Sequence, residues 1–162
     1  MYPASRSNRL CRVLCNQEIS PSHEMKLTRH IIADLAEILG GIKINRIDDK
    51  EAKAVLLKDY LAIRKVARET ESDRNEIIRK FQEDWADEIP AVEKFRKGGK
   101  PVLGHLDYLD AEKDANKAIS SLFSEEVDID LARVKLDAIT AFPDEITLDV
   151  VAFLSENGII GE

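Results

Sequence analysis

The sequence holds two cysteines and three histidines, and their spacing decides whether a metal centre is expected. Cys11 and Cys15 form a C-x3-C pair, followed by His23 and His30 at H-x6-H. A structural zinc site closes a tetrahedron about 2.0 to 2.3 Å from the ion, so its second ligand pair needs a spacing comparable to the first. Six intervening residues are too many, and we read the cysteines as free reduced thiols, which fits a reducing compartment. Phe95-Arg96-Lys97-Gly98-Gly99-Lys100 invites a phosphate-loop reading, because glycines let backbone amides approach an anion and lysines add charge. A P-loop requires G-x-x-x-x-G-K-[ST] between a strand and a helix. Here Lys100 precedes Pro101 and no hydroxyl is placed for magnesium. The segment reads as a solvated turn in which Arg96, Lys97 and Lys100 are the candidate anion contacts. Glu125, Glu126, Asp128 and Asp130 offer the oxygen ligands that hard cations prefer. Alternation sends the last three to one strand face, where exposure to water explains them without a metal. His105 is the residue best placed for acid or base work, with Asp107 or Asp110 as carboxylates that such a site would gather. Neither H-E-x-x-H nor G-x-S-x-G occurs. We expect no metal and no cofactor.

The elements that position these residues follow from apolar periodicity. Thr28 caps a helix to Leu39 with Ile31, Ile32, Leu35, Ile38 and Leu39 on one stripe, and Gly40-Gly41 ends it. Ile42 to Asn45 alternates and predicts a short strand or extended connector. From Asp48, with Glu51 as its capping-box partner, neither Gly nor Pro intervenes before Pro90. A helix of almost forty residues from Asp48 would be about 55 Å long, against a breadth of about 33 Å for a globule of this size. It therefore either kinks near Arg68 to Asp73 or projects and meets a partner. Leu56, Tyr60, Ile63, Ala67, Ile77, Phe81 and Trp85 form its apolar stripe, with Thr70 and Arg74 in the gap. Of these, Leu56, Tyr60, Ile63, Phe81 and Trp85 are the candidate partner contacts.

Residues 90 to 106 read as an irregular connection punctuated by Pro and Gly. Asp107 or Asp110 opens a helix to Ser124 that buries Leu109, Ala115, Ala118, Ile119, Leu122 and Phe123. Glu126 to Leu131 alternates strictly, and Val134 and Leu136 continue in shifted parity, which predicts two short strands or one bulged strand. Thr147 caps a last helix, Ile146 staples onto Val151, and Asn157-Gly158-Ile159 has the form of a Schellman cap. The predicted fold is mainly α with a small β element: three or four helices including one long helix, and short strands near 42–45 and 126–136.

At the scale of the chain, 162 residues suit one domain. Lys and Arg number 24 against 31 acids, for a net charge of -7. That balance argues against a general phosphate-binding surface, and no apolar run approaches the 18 residues that a membrane span requires. Residues 1–24 differ in kind: Arg6, Arg9 and Arg12 are present, no acid precedes Glu18, and both cysteines lie there. We read 1–24 as a basic extension, disordered or upstream of a working start at Met25, with an organellar transit peptide as the alternative. Residues 25–162 then form a single helix-rich domain, expected to be cytoplasmic.

Met25-Lys26-Leu27-Thr28, a short helix, an extended turn, a long charged helix containing Ala67 and Glu71, a polar loop, the acid-rich Val127-Asp128-Ile129 strand and a C-terminal Leu-rich helix together resemble a group of small phage and prophage proteins of unknown function. The resemblance covers about residues 25–160 and departs in the Gly-rich loop and the N-terminal extension. It implies an accessory protein acting through protein contacts, with no catalytic residues to carry over. The expected function is non-enzymatic interaction or assembly through the long amphipathic helix, with a protein partner, a second copy in the form of a homodimer among them, and no membrane partner. The alternatives are a small enzyme built around His105 and a nucleic-acid accessory protein using the basic loop 94–100, although the acidic balance makes nucleic acid the less expected partner.

Overall fold

The computed structural model describes residues 22–99, 105–139 and 146–161. Strand β1 (His23–Thr28) leads directly into α1 (Arg29–Gly41). Next come a single 3-10 turn at Ile44–Arg46 and α2 (Lys50–Asp84). The short α3 (Ile89–Arg96) and α4 (His105–Ser124) follow. Strands β2 (Glu126–Leu131) and β3 (Val134–Lys135), helices α5 (Leu136–Ile139) and α6 (Leu148–Glu156), and strand β4 (Ile160–Gly161) complete the described order. The chain is mainly helical with a small β component, as expected, but the described residues hold six helices rather than three or four.

β1 is an addition to the elements expected from periodicity. It pairs antiparallel with β2 in a register from His23 opposite Leu131 to Thr28 opposite Glu126. Leu27, Ile129 and Leu131 turn inward, while Glu24, Lys26, Glu126, Asp128 and Asp130 are exposed. His23 and Glu24 thus belong to the fold, two residues ahead of the expected boundary at Met25. Cys11 and Cys15 lie outside the described residues. The predicted strand at 42–45 is instead a turn: Ile44 and Ile47 N–H groups bond locally to the carbonyls of Ile42 and Ile44, and Ile47 drops into the core. Short apolar alternation decides nothing until a partner strand is in reach.

Thr28 caps α1 as predicted, its hydroxyl accepting from the Ile31 N–H at 3.3 Å. α2 is capped by Asp49 rather than Asp48, through the N–H groups of Glu51 and Ala52 at 2.9 and 3.2 Å. It then runs for 35 residues, about 52 Å at 1.5 Å per residue, with no break in the helix near Arg68 to Asp73. Its length is covered along the inner side by α1 and by α4, which runs back antiparallel to it. Tyr108 at the start of α4 meets Phe81 and Trp85, and Glu125 just past its end bonds Arg29 beside Thr70. Thr70, one of the polar interruptions of the stripe, is fully buried and satisfied: its hydroxyl donates to the Val66 carbonyl and accepts from the Arg29 guanidinium, both at 2.9 Å.

Ile32, Leu35, Leu39, Leu56, Ile63, Ile129, Leu131, Leu154 and Ile159 belong to one main core. Among the described residues, Val92 of α3 and Tyr108 are the buried apolar residues outside it, and Tyr108 forms a second, small cluster with Phe81 and Trp85 at the far end of α2. Among the described residues of α4 the buried one is Tyr108, while Ala118, expected on the buried face, is exposed. α6 ends as anticipated: Gly158 takes φ +81°, and the N–H groups of Gly158 and Ile159 bond back to the carbonyls of Ser155 and Leu154. That turn delivers Ile160 and Gly161 parallel to Val134 and Lys135.

Candidate interaction surface

The five candidate partner contacts on α2 do not share one fate. Leu56 and Ile63 are 1% and 0% exposed inside the main core, so they hold the domain together and present nothing to a partner. Phe81 and Trp85 are half-buried against Tyr108, with ring centroids 5.3 and 5.8 Å away. The predicted stripe is therefore the inner face of the helix. Tyr60 alone lies at the border between core and water.

The apolar surface of α2 lies on its opposite side. Leu57 and Leu61, one turn apart, are 48% and 55% exposed. Tyr60 lies between them and the 3-10 turn, close enough to Gly40 that a Cβ there would stand 3.4 Å from its hydroxyl oxygen. The Arg64 guanidinium carbon is 5.9 Å from the Tyr60 ring centroid, the arrangement in which a cation is held by the ring quadrupole. A groove of about 480 Å³ runs beside them, lined by Ile42, Ile44, Lys43, Arg46, Leu57 and Tyr60. The result is an apolar centre with a cationic rim. The signal for it lay in the sequence, since Leu57 and Leu61 fall outside the long stripe at i, i+4, but apolar residues off the main stripe are easily passed over as scattered.

The candidate anion contacts are only partly brought together. Arg96 bonds Glu112 of α4 at 2.6 Å, an ion pair that ties α3 to α4 and holds the Arg96 pKa above its usual range. Lys97 is exposed beside a groove of about 440 Å³ lined by Pro90, Glu93, Lys94, Gly98 and Gly99. Lys100 lies outside the described residues. The glycines shape the end of the helix: Gly98 takes φ +98°, and the Gly98 and Gly99 N–H groups return to the Phe95 and Lys94 carbonyls at 2.9 and 3.0 Å. This is a Schellman ending of α3, so those two amides are already engaged. Residues 90 to 96 are accordingly helical, with Pro90 in the first turn, where its missing N–H costs nothing.

None of Asp59, Asp107 and Asp110 is among the residues that line those two grooves. His105 opens α4. Asp107 and Asp110 are exposed. Asp59 is the buried carboxylate among the described residues, 1% exposed, accepting from the Ala132 N–H at 2.9 Å. Burial raises its pKa to about 6, against the opposing pull of that hydrogen bond and of Lys58. Its second oxygen Oδ2 and His23 Nε2 are the buried side-chain atoms without a hydrogen-bond partner among the described residues. A smaller cavity of about 150 Å³ is lined by Asp49, Glu51, Val55, Arg133, Lys135 and Ala138, not by Asp59 or His23. Among the described residues no group of three or more His, Cys, Asp or Glu is arranged to hold a metal ion, and no helix is long and apolar enough to cross a membrane. No protein-family model matches this chain, and no match was found among curated proteins or solved structures.

Proposed function

We propose that the chain is a non-enzymatic interaction or assembly protein that meets a protein partner through the outer face of α2. The observation that carries this reading is the pair Leu57 and Leu61, 48% and 55% exposed on adjacent turns of α2, with Leu57 and Tyr60 lining the groove beside them. Single exposed leucines are ordinary, whereas two on adjacent turns beside an apolar groove form the kind of contiguous patch that marks a contact site. Aromatic and arginine side chains such as Tyr60 and Arg64 are the types enriched at the centres of such contacts. In this reading the chain is an accessory protein of the sort its resemblance to small phage and prophage proteins implies. The direct test compares the full chain with a Leu57→Asp/Leu61→Asp variant in cells that encode it, after crosslinking. A protein crosslinked to the parent chain and lost from the equally stable variant supports the reading. Equal crosslinking of both overturns it.

A further inference from the structure

The outer face of α2 carries a second pattern beyond its leucines. Leu61, Arg64, Arg68, Glu71, Asn75 and Ile78 follow one another at steps of three, four, three, four and three. All but the half-buried Ile78 are exposed. Alternating three- and four-residue steps keep one stripe facing a second helix as the two wind around each other. The stripe is also a mirror image of itself in spacing: reversed about the midpoint between Arg68 and Glu71, Leu61 falls opposite Ile78, Arg64 opposite Asn75, and Arg68 opposite Glu71.

The charges of the helix obey the same reversal. From Lys50 to Arg68 there are six cations and two acids, one of them the buried Asp59. From Glu69 to Asp84 there are six acids and three cations. Two such helices side by side in parallel would set like charge against like, which is destabilising. Side by side in opposite directions, each basic half lies along an acidic half. Glu71 has its own neighbour in Arg74 at 2.8 Å, yet the two side chains are 54% and 40% exposed, so Glu71 keeps an oxygen within reach of a second cation.

We propose that two copies of this chain pair antiparallel through the outer face of α2, with Arg68 of each against the partner's Glu71 and Leu61 of each against the partner's Ile78. The pairing rests on the reading of that face as the contact surface and names its occupant. It is isologous, the arrangement that closes a two-fold dimer. Its centre is ionic and its two ends are apolar, so the ends supply burial while the centre fixes direction and register. A contact this narrow, with few apolar layers, belongs among weak associations.

Sedimentation equilibrium of the full chain at low salt, from about 1 to 100 µM, is the test. The expected result is a monomer–dimer equilibrium in the micromolar range that loosens as salt is added. Arg68→Glu brings like charges together twice in each dimer and should weaken association about tenfold, while Arg68→Glu/Glu71→Arg should restore it. Thermal melts of both variants show that they remain folded. A chain that is monomeric throughout, a dimer indifferent to Arg68→Glu, or a loss that the exchanged pair does not repair would each overturn the pairing. A monomer that nonetheless loses its crosslinked protein when Leu57 and Leu61 become Asp overturns self-pairing while leaving the contact-face reading in place.

Discussion

Asp59 concentrates the electrostatics of the core in one side chain. One carboxylate oxygen holds the Ala132 N–H and the other has no partner among the described residues, so ionisation is opposed by burial and the pKa rises from the usual 3.8 to about 6. A carboxyl group with a raised pKa in the folded state contributes fully below the unfolded value, and that contribution is lost as pH rises through the folded one. The stability due to Asp59 should therefore fall by roughly 2 kcal/mol between pH 4 and pH 7. Asn at this position keeps the acceptor for Ala132 and removes the ionisation. Urea titrations across that range should show a fall in the parent that is missing from Asp59→Asn, and parallel pH profiles would refute the assignment. No periodicity argument singles out Asp59, because it lies beside apolar positions in a helix rich in charge. Thr70 is visible in the sequence as a break in the apolar stripe, yet only Arg29, arriving from another helix, explains how its hydroxyl is buried without loss.

Among the elements, glycines and caps show what local chemistry decides. Gly158 carries φ +81°, and a Cβ there would collide with the Met25 sulfur. Gly158→Ala should thus cost roughly 3 kcal/mol or more, combining backbone strain with that collision. Gly41 meets nothing within 4 Å, and its substitution by Ala should be neutral or stabilising by up to about 1 kcal/mol. Chemical denaturation of the two variants checks both signs. The Schellman ending of α6, the Thr28 cap and the alternation of β2 are legible because each depends on a few adjacent residues. β1 is harder to read although His23, Met25 and Leu27 alternate with Glu24, Lys26 and Thr28, since the change of composition near Met25 draws a boundary through the strand. α3 escapes a reading that treats Pro90 as a stop, whereas proline in a first helical turn is a start. The inward direction of the α2 stripe requires knowing that α4 returns along it, which is a tertiary fact.

For the molecule as a whole, the two sides of α2 make opposite demands. Ile63→Asp buries a charge in the main core and should lower the melting temperature by well over 10 °C, or prevent folding, through a cost of several kcal/mol. Leu61→Asp, on the outer side, should leave the melt within about 2 °C, as surface changes do. Calorimetry of the two variants distinguishes a helix with one inner face from a helix that is apolar all round. The candidate contact surface is half legible for the same reason: the sequence marks α2 and Tyr60, but burial in three dimensions decides which side of the helix faces water.

The separation of the main core from the small cluster at the far end of α2 has a consequence for how the protein comes apart. Trp85 is the single tryptophan of the chain and sits in that far cluster beside Tyr108 and Phe81. The cluster holds far fewer buried side chains than the core around Ile63, and regions with little burial open at lower free energy. Intrinsic fluorescence therefore reports on the tip of the helix pair rather than on the molecule. On heating, the tryptophan emission should shift before the helical circular dichroism is lost, and amide hydrogens near Trp85 should exchange sooner than those near Ile63. Coincident transitions would instead show that the long helix transmits its order from end to end and that the chain unfolds as one unit.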